Sequence, residues 1–181
     1  MKIIKLQDNI LRRIRFKGLW TPEHLDLFLD HRLMEAIIFQ MLKPFKKDKI
    51  DKVVALDSVG FIFGALIANK LKVGLVLIRK EGTISSLSYK TTFIDYSKQK
   101  KILEIKKAYS IRRGDKLLIV DDWAETGMHL IQAIKLLRKF RPKIIGISLL
   151  VNEMNEKQRK ALSKYKAREI IDFNKTQRPN W

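Results

Sequence analysis

The residues best suited to chemistry stand together in LLIVDDWAETGMHL at 117–130. The four apolar residues read as a buried strand, with Asp121 and Asp122 at its exposed end. Thr126 and Gly127 then precede a helix, whose free N–H groups would converge on a point where the helix dipole favours an anion. Glycine lets the backbone approach a phosphate closely. Two carboxylates beside such a cradle repel the phosphate itself; they suit neutral hydroxyls, as on a ribose, or a metal ion. A sugar phosphate satisfies both halves. The competing reading is that the two acids only cap a helix and a turn.

These residues need elements to hold them. KVVALD at 52–57, VGLVLIR at 73–79, KLLIVDD at 116–122 and KIIGISLLV at 143–151 read as buried strands, with REIIDF at 168–173 as a last one. Helices are expected over 60–71, 127–140 and 154–164. A longer helix is expected from Thr21 as N-cap, with Pro22 at its first position, to Lys43 before Pro44. Residues 1–20 read as short strands or an irregular arm. Strand–helix alternation with near-continuous apolar strands predicts an α/β fold with a mostly parallel central sheet and helices on both faces. Ligands of such sheets bind beyond the strands' carboxyl ends, which marks Asp57–Gly60, Arg79–Thr83 and Asp121–His129. The polar segment 81–110 interrupts the alternation and reads as a lid hairpin, or as a surface loop of no consequence.

Length and composition narrow the classes. The 181 residues suit one domain, and 46% hydrophobic content excludes a wholly disordered chain. Cysteine is absent, so disulfides, thiolate metal sites and a cysteine nucleophile are excluded. The longest apolar stretch, Val59 to Ala68, is too short to span a bilayer, and a cytoplasmic location is expected. The net charge of +19 attracts polyanions, including nucleic acid, unless it only reflects a lysine-biased proteome.

The string of apolar strand, double acid and Thr-Gly resembles the phosphoribosyl-pyrophosphate (PRPP) signature of type I phosphoribosyltransferases. LDSVGFIFGALIANKLKVGLVLIRKEG at 56–82 is similar to the matching stretch of the adenine type, and the likeness covers roughly residues 52–151. It implies a single domain over 1–181, with a small N- and C-terminal hood, residues 1–45 forming the hood and first helix, and 81–110 forming the flexible lid. It implies transfer of a phosphoribosyl group to a purine, with release of pyrophosphate, in nucleotide salvage. Asp121 and Asp122 would take the ribose hydroxyls. The 5′-phosphate would lie on Ala124, Glu125, Thr126, Gly127, Met128 and His129. Pyrophosphate would lie against Ser58, Val59 and Gly60, near Arg79 and Lys80. Asp95 would assist proton transfer at the base, unless it is a solvated lid residue. Magnesium would arrive with PRPP, and a homodimer is expected.

Three positions depart from the family pattern: Val59 replaces an arginine, Thr83 a lysine, and His129 a second threonine. They leave the sugar-phosphate half intact and alter the pyrophosphate half. The alternative function is therefore a non-catalytic regulator that senses PRPP or a nucleotide and binds nucleic acid. Trp123 could stack on a ligand or only shield the loop. Phe16 and Trp20 are candidates to stack on the base. His24 and His31, expected two turns apart on one helix, are read as packing or surface residues rather than metal ligands. Phe39, Phe45, Phe61 and Phe63 are read as core or interface, the run at 98–107 as an element with one solvated face, and the tail ending in Trp181 as unstructured.

Overall fold

A computed structural model describes residues 3–17, 21–94, 98–109 and 111–176. The chain opens with α1 (Ile3–Leu11), then a two-stranded ribbon of β1 (Arg15–Lys17) and β2 (Thr21–Glu23), a short 3-10 turn at Leu25–Leu29, and α2 (His31–Leu42). The alternating part follows: β3 (Lys52–Leu56), α3 (Gly60–Leu71), β4 (Gly74–Lys80), β5 (Ser88–Ile94), β6 (Lys100–Lys106), β7 (Lys116–Ala124), α4 (Met128–Leu137), β8 (Lys143–Asn152), α5 (Glu156–Ala161) and β9 (Ala167–Asp172).

Seven strands form one sheet in the order β5-β6-β4-β3-β7-β8-β9. The run from β4 to β9 is parallel, and β6 joins β4 antiparallel with β5 folded back on it. The expected α/β architecture holds. Within the 81–110 segment, β5 and β6 pair antiparallel and extend the sheet edge, and the cationic run there is strand β6.

Side chains alternate between two cores, as the strand period requires. Val53, Leu118, Val120 and Leu150 face α1, α2 and α3 through Leu6, Ile37, Met41 and Ile67. Val54, Ile78, Ile119 and Leu149 face α4 and the hairpin through Ile134, Leu137, Phe93 and Ile105. Phe45 and Phe63 are buried as expected, whereas Phe39 is exposed on α2.

The N-terminal third corrects three expectations. Residues 3–11 are helical, with Leu6, Ile10 and Leu11 buried at helical spacing and Gln7 Nε2 donating to Ile170 O of β9 at 2.7 Å. Thr21 is not an N-cap: it pairs with Lys17 in the ribbon, and Pro22 sits opposite Phe16. Proline is tolerated there because a two-stranded ribbon has only edges. Asp30 caps α2 instead, accepting from Leu33 N at 3.0 Å. His24 and His31 consequently do not share a helix: His24 precedes the 3-10 turn, and His31 is the exposed first residue of α2. The polar helix after β8 is also shorter than expected, Glu156–Ala161, started by an Asn155–Gln158 capping box. Among the described residues no helix is long and apolar enough to cross a membrane.

Candidate active site

The parallel strands β4, β3 and β7 are neighbours, so their carboxyl ends bring three separate sequence segments to one edge. Asp121 lies near the end of β7 and is only 7% exposed. Gly60, the first residue of α3, covers it: a Cβ there would stand 2.5 Å from Asp121 Oδ1. The start of α3 therefore rests on the carboxyl group, a contact that glycine alone permits. Asp121 Oδ1 also accepts from Asp122 N at 3.1 Å. Burial, followed by the neighbouring Asp122 charge, pushes the Asp121 carboxyl well above the usual range, with Lys80 opposing.

Asp122 is held differently. Burial would raise it too, but contact with His24 outweighs that and holds its carboxyl below the ordinary value. His24 Nε2 lies 3.1 Å from Asp122 Oδ2, and the histidine is itself buried, 4% exposed. Among the described residues neither ring nitrogen meets hydrogen-bond geometry, so the approach to Asp122 is an ion-pair contact. Trp123, the next residue, packs its ring edge-on against Phe173 at 5.1 Å and tilted against His24 at 6.1 Å. Its Nε1 donates to Glu153 Oε2 at 3.1 Å. Trp123 thus joins the N-terminal segment and the end of β9 to the double acid.

Beyond β7 the chain turns into α4. Thr126 Oγ1 accepts from Met128 N at 3.3 Å, and Gly127 takes φ +69°, the left-handed conformation that favours glycine. Asp121, Trp123, Ala124, Glu125, Gly127, His129 and Leu130 line a cavity of about 160 Å³ at this turn. His129 sets its ring edge-on to Phe93 of the hairpin at 5.0 Å, which ties the cavity wall to the expected lid.

The second half of the site is the turn Asp57–Gly60. Asp57 lies 3.8 Å from both Arg79 Nε and Lys80 Nζ, and Lys80 N donates to Asp57 Oδ2 at 3.5 Å. The Arg79 guanidinium sits 6.0 Å over the Phe61 ring. Val59 packs against the core beneath α3, so this position offers apolar contact and no charge.

Sequence reasoning passed over two residues of this region. His24 was read as a packing or surface residue; its buried place beside Asp122 depends on the ribbon and turn that replace the expected helix. Glu104 was hidden in the cationic run, yet it is 1% exposed and accepts from Thr83 N, Ile84 N and Ser88 Oγ, each at 3.0 Å. Burial alone would raise its carboxyl; these donors and Lys90 more than reverse that and hold it low. The visible signal was the lone acid in an alternating strand. Asp95, Trp20 and Trp181 lie outside the described residues, as does the side chain of Phe16.

The fold is an α/β sheet that places a double acid, a glycine turn into a helix and a second turn, Asp57–Gly60, at one strand-end edge. The chain belongs to the phosphoribosyl transferase domain family, whose model matches residues 25–179. Within it, the chain is similar to adenine phosphoribosyltransferases. That of Caldicellulosiruptor saccharolyticus is 38% identical over 146 residues, covering 80% of this chain and 81% of that protein. That of Ruegeria pomeroyi is 34% identical over 150 residues, covering 81% and 82%. Among solved structures, the Thermoanaerobacter pseudethanolicus adenine phosphoribosyltransferase superposes with a TM-score of 0.83 at 26% identity, covering 92% of this chain and 99% of that one. The Giardia lamblia enzyme, complexed with 9-deazaadenine, gives 0.82 at 26%, covering 95% and 98%.

Proposed function

We propose that the chain is an adenine-type purine phosphoribosyltransferase: nucleobase and PRPP give nucleoside monophosphate and pyrophosphate. The observation that supports the reading is the contact of Gly60 with Asp121, which brings the turn at Asp57–Gly60 against the end of β7. The similarity to the adenine enzymes supports the choice of base.

In this reading the 5′-phosphate sits at the start of α4, where N–H groups and the dipole favour it. Asp122 accepts from the ribose hydroxyls, with Asp121 behind it. Pyrophosphate leaves along Ser58–Gly60 beside Arg79 and Lys80. The C1′–O bond to pyrophosphate breaks as the C1′–N bond to the base forms, and the base gives up its N–H proton, for which Asp95 is the proposed acceptor. Charge spreads toward C1′ in an oxocarbenium-like transition state, which the 81–110 lid would shield from water. Residues 1–45 would serve as hood over one domain spanning 1–181. Magnesium belongs to the substrate, held by PRPP oxygens and waters. Homodimerisation and a cytoplasmic setting belong to the same reading.

The test is pyrophosphate release from Mg–PRPP with adenine, guanine, hypoxanthine, xanthine, uracil and orotate in turn. Release with adenine alone is expected; release with a pyrimidine alone would overturn the purine assignment. A second reading, binding without turnover, is favoured by one observation, the apolar packing of Val59 where a cation would face pyrophosphate. Under it, PRPP binds with no release for any base. Val59→Arg would then tighten pyrophosphate about tenfold, in the range of one charge-assisted hydrogen bond.

A further inference from the structure

Part of the chain's net charge of +19 lies at the end of the sheet opposite the site. Because β4, β3, β7, β8 and β9 are parallel, the loops that lead into them share that end. Each loop carries an exposed cation: Lys72 before β4, Lys47 before β3, Arg113 before β7, Arg141 before β8 and Lys164 before β9. The loops are stitched together. Asp51 N donates to Lys116 O at 2.8 Å, Lys143 N to Asp115 O at 2.8 Å, and Gly114 N to Arg141 O at 3.0 Å. Lys166 Nζ reaches Pro44 O at 2.5 Å. Pro44 and Asp48 both meet Lys166, which sets Lys47 toward the β9 side, and the loop cations share one sheet end whose five strands, at about 4.8 Å spacing, measure roughly 20 Å across.

The acids of these loops are already engaged. Asp115 lies 2.6 Å from Lys52, Asp48 2.9 Å from Lys166 and Asp51 3.6 Å from Lys49. Outward, this end presents one sign of charge. Its aromatic rings are not open: Phe45 is buried, and Phe140 and Tyr165 are half-buried. Splayed bases need open rings to stack on, so this end does not suit a single strand. Nor does it hold a large exposed apolar side chain, which docking on a bilayer would use. What remains is a rigid array of phosphates, and about 20 Å spans roughly six residues of a duplex strand at 3.4 Å each.

We propose that this basic end binds the phosphodiester backbone of double-helical nucleic acid, without sequence preference, at a surface separate from the sugar-phosphate site. The inference does not depend on which reaction the site performs.

The experiment is fluorescence anisotropy of full-length protein with RNA and DNA duplexes of about 20 base pairs, over about 50–200 mM salt. One variant, K47E/R113E/R141E, reverses these loop charges; another, K5E/R12E/K157E, makes the same charge change elsewhere. The unmodified chain is expected to bind with a log–log salt slope of about −3 to −5. The loop variant should lose at least about tenfold in affinity and flatten the slope by roughly 3 units, while the other variant stays within about twofold. The tighter duplex names the natural source. Equal losses in both variants, or no duplex binding at the lowest salt, would overturn the proposal. So would retention on acidic phospholipid vesicles without duplex binding. Thermal melts establish that the variants fold; if the loop variant does not, K72E/K164E replaces it, with the slope expected to flatten by roughly 2 units and K5E/K157E as its control.

Discussion

His24 Nε2 stands 3.1 Å from Asp122 Oδ2, linking a residue of the N-terminal segment to the double acid 98 positions later. The contact holds the Asp122 carboxyl below its ordinary value, which in the proposed reaction leaves it ionised toward the ribose hydroxyls. Removing the imidazole leaves a mostly buried carboxylate short of its partner. His24→Ala is therefore expected to raise the PRPP KM about tenfold, the scale of a lost charge-assisted contact, with a smaller change in kcat. Initial-rate kinetics across PRPP concentrations check this. His24→Gln, which keeps a donor, should recover part of the loss.

Asp121 pulls the other way. Its carboxyl is raised by burial and by Asp122, so the folded state binds its proton more tightly than the unfolded chain does. By linkage, its contribution to stability is greatest below the ordinary aspartate value of about 3.9 and is lost as pH rises toward the higher folded value. Asp121→Asn keeps an acceptor for Asp122 N and removes this penalty. The variant is expected to melt higher than the parent by a margin that grows from pH 4 to pH 8. Its PRPP turnover should fall. Melts and assays on the same samples measure both.

Gly60→Ala places a methyl group 2.5 Å from Asp121 Oδ1. Either α3 or β7 must shift, and overpacking of this kind costs about 1–3 kcal/mol. Because the clash falls between the two halves of the site, activity is expected to drop about 100-fold, since misplacement of about 1 Å costs that much. Urea unfolding separates the stability loss from the kinetic one.

Glu104 anchors the turn that leads from β4 into the hairpin, through Thr83, Ile84 and Ser88. Its folded carboxyl titrates low, so its stabilisation is full above the ordinary glutamate value of about 4.3 and disappears as pH falls through the lower folded value. Glu104→Gln is expected to destabilise by about 1–3 kcal/mol at neutral pH. Amide exchange should accelerate across residues 83–94 and leave β3 and β7 unchanged.

The sequence by itself determined the alternating strands and helices, the bounds of α3 at 60–71 and the double acid followed by Thr126–Gly127. Each rests on local rules: apolar period, glycine turns, and residues contiguous along one strand and its turn. It misplaced the start of α2 because an apolar spacing that fits one helix also fits a ribbon, a 3-10 turn and a shorter helix. It missed α1, where exposed Ile3 and Ile4 blur the buried Leu6–Ile10 spacing. Only the tertiary structure decided that β3 lies between β4 and β7, which sets Gly60 on Asp121 and brings the Lys80 charge to bear on Asp121. It also turned His24 inward and brought cations scattered along the chain to one end of the sheet. The physical reason is common to all three. Strand order and the direction of each strand are settled by which distant surfaces bury each other, and local spacing carries no record of that choice.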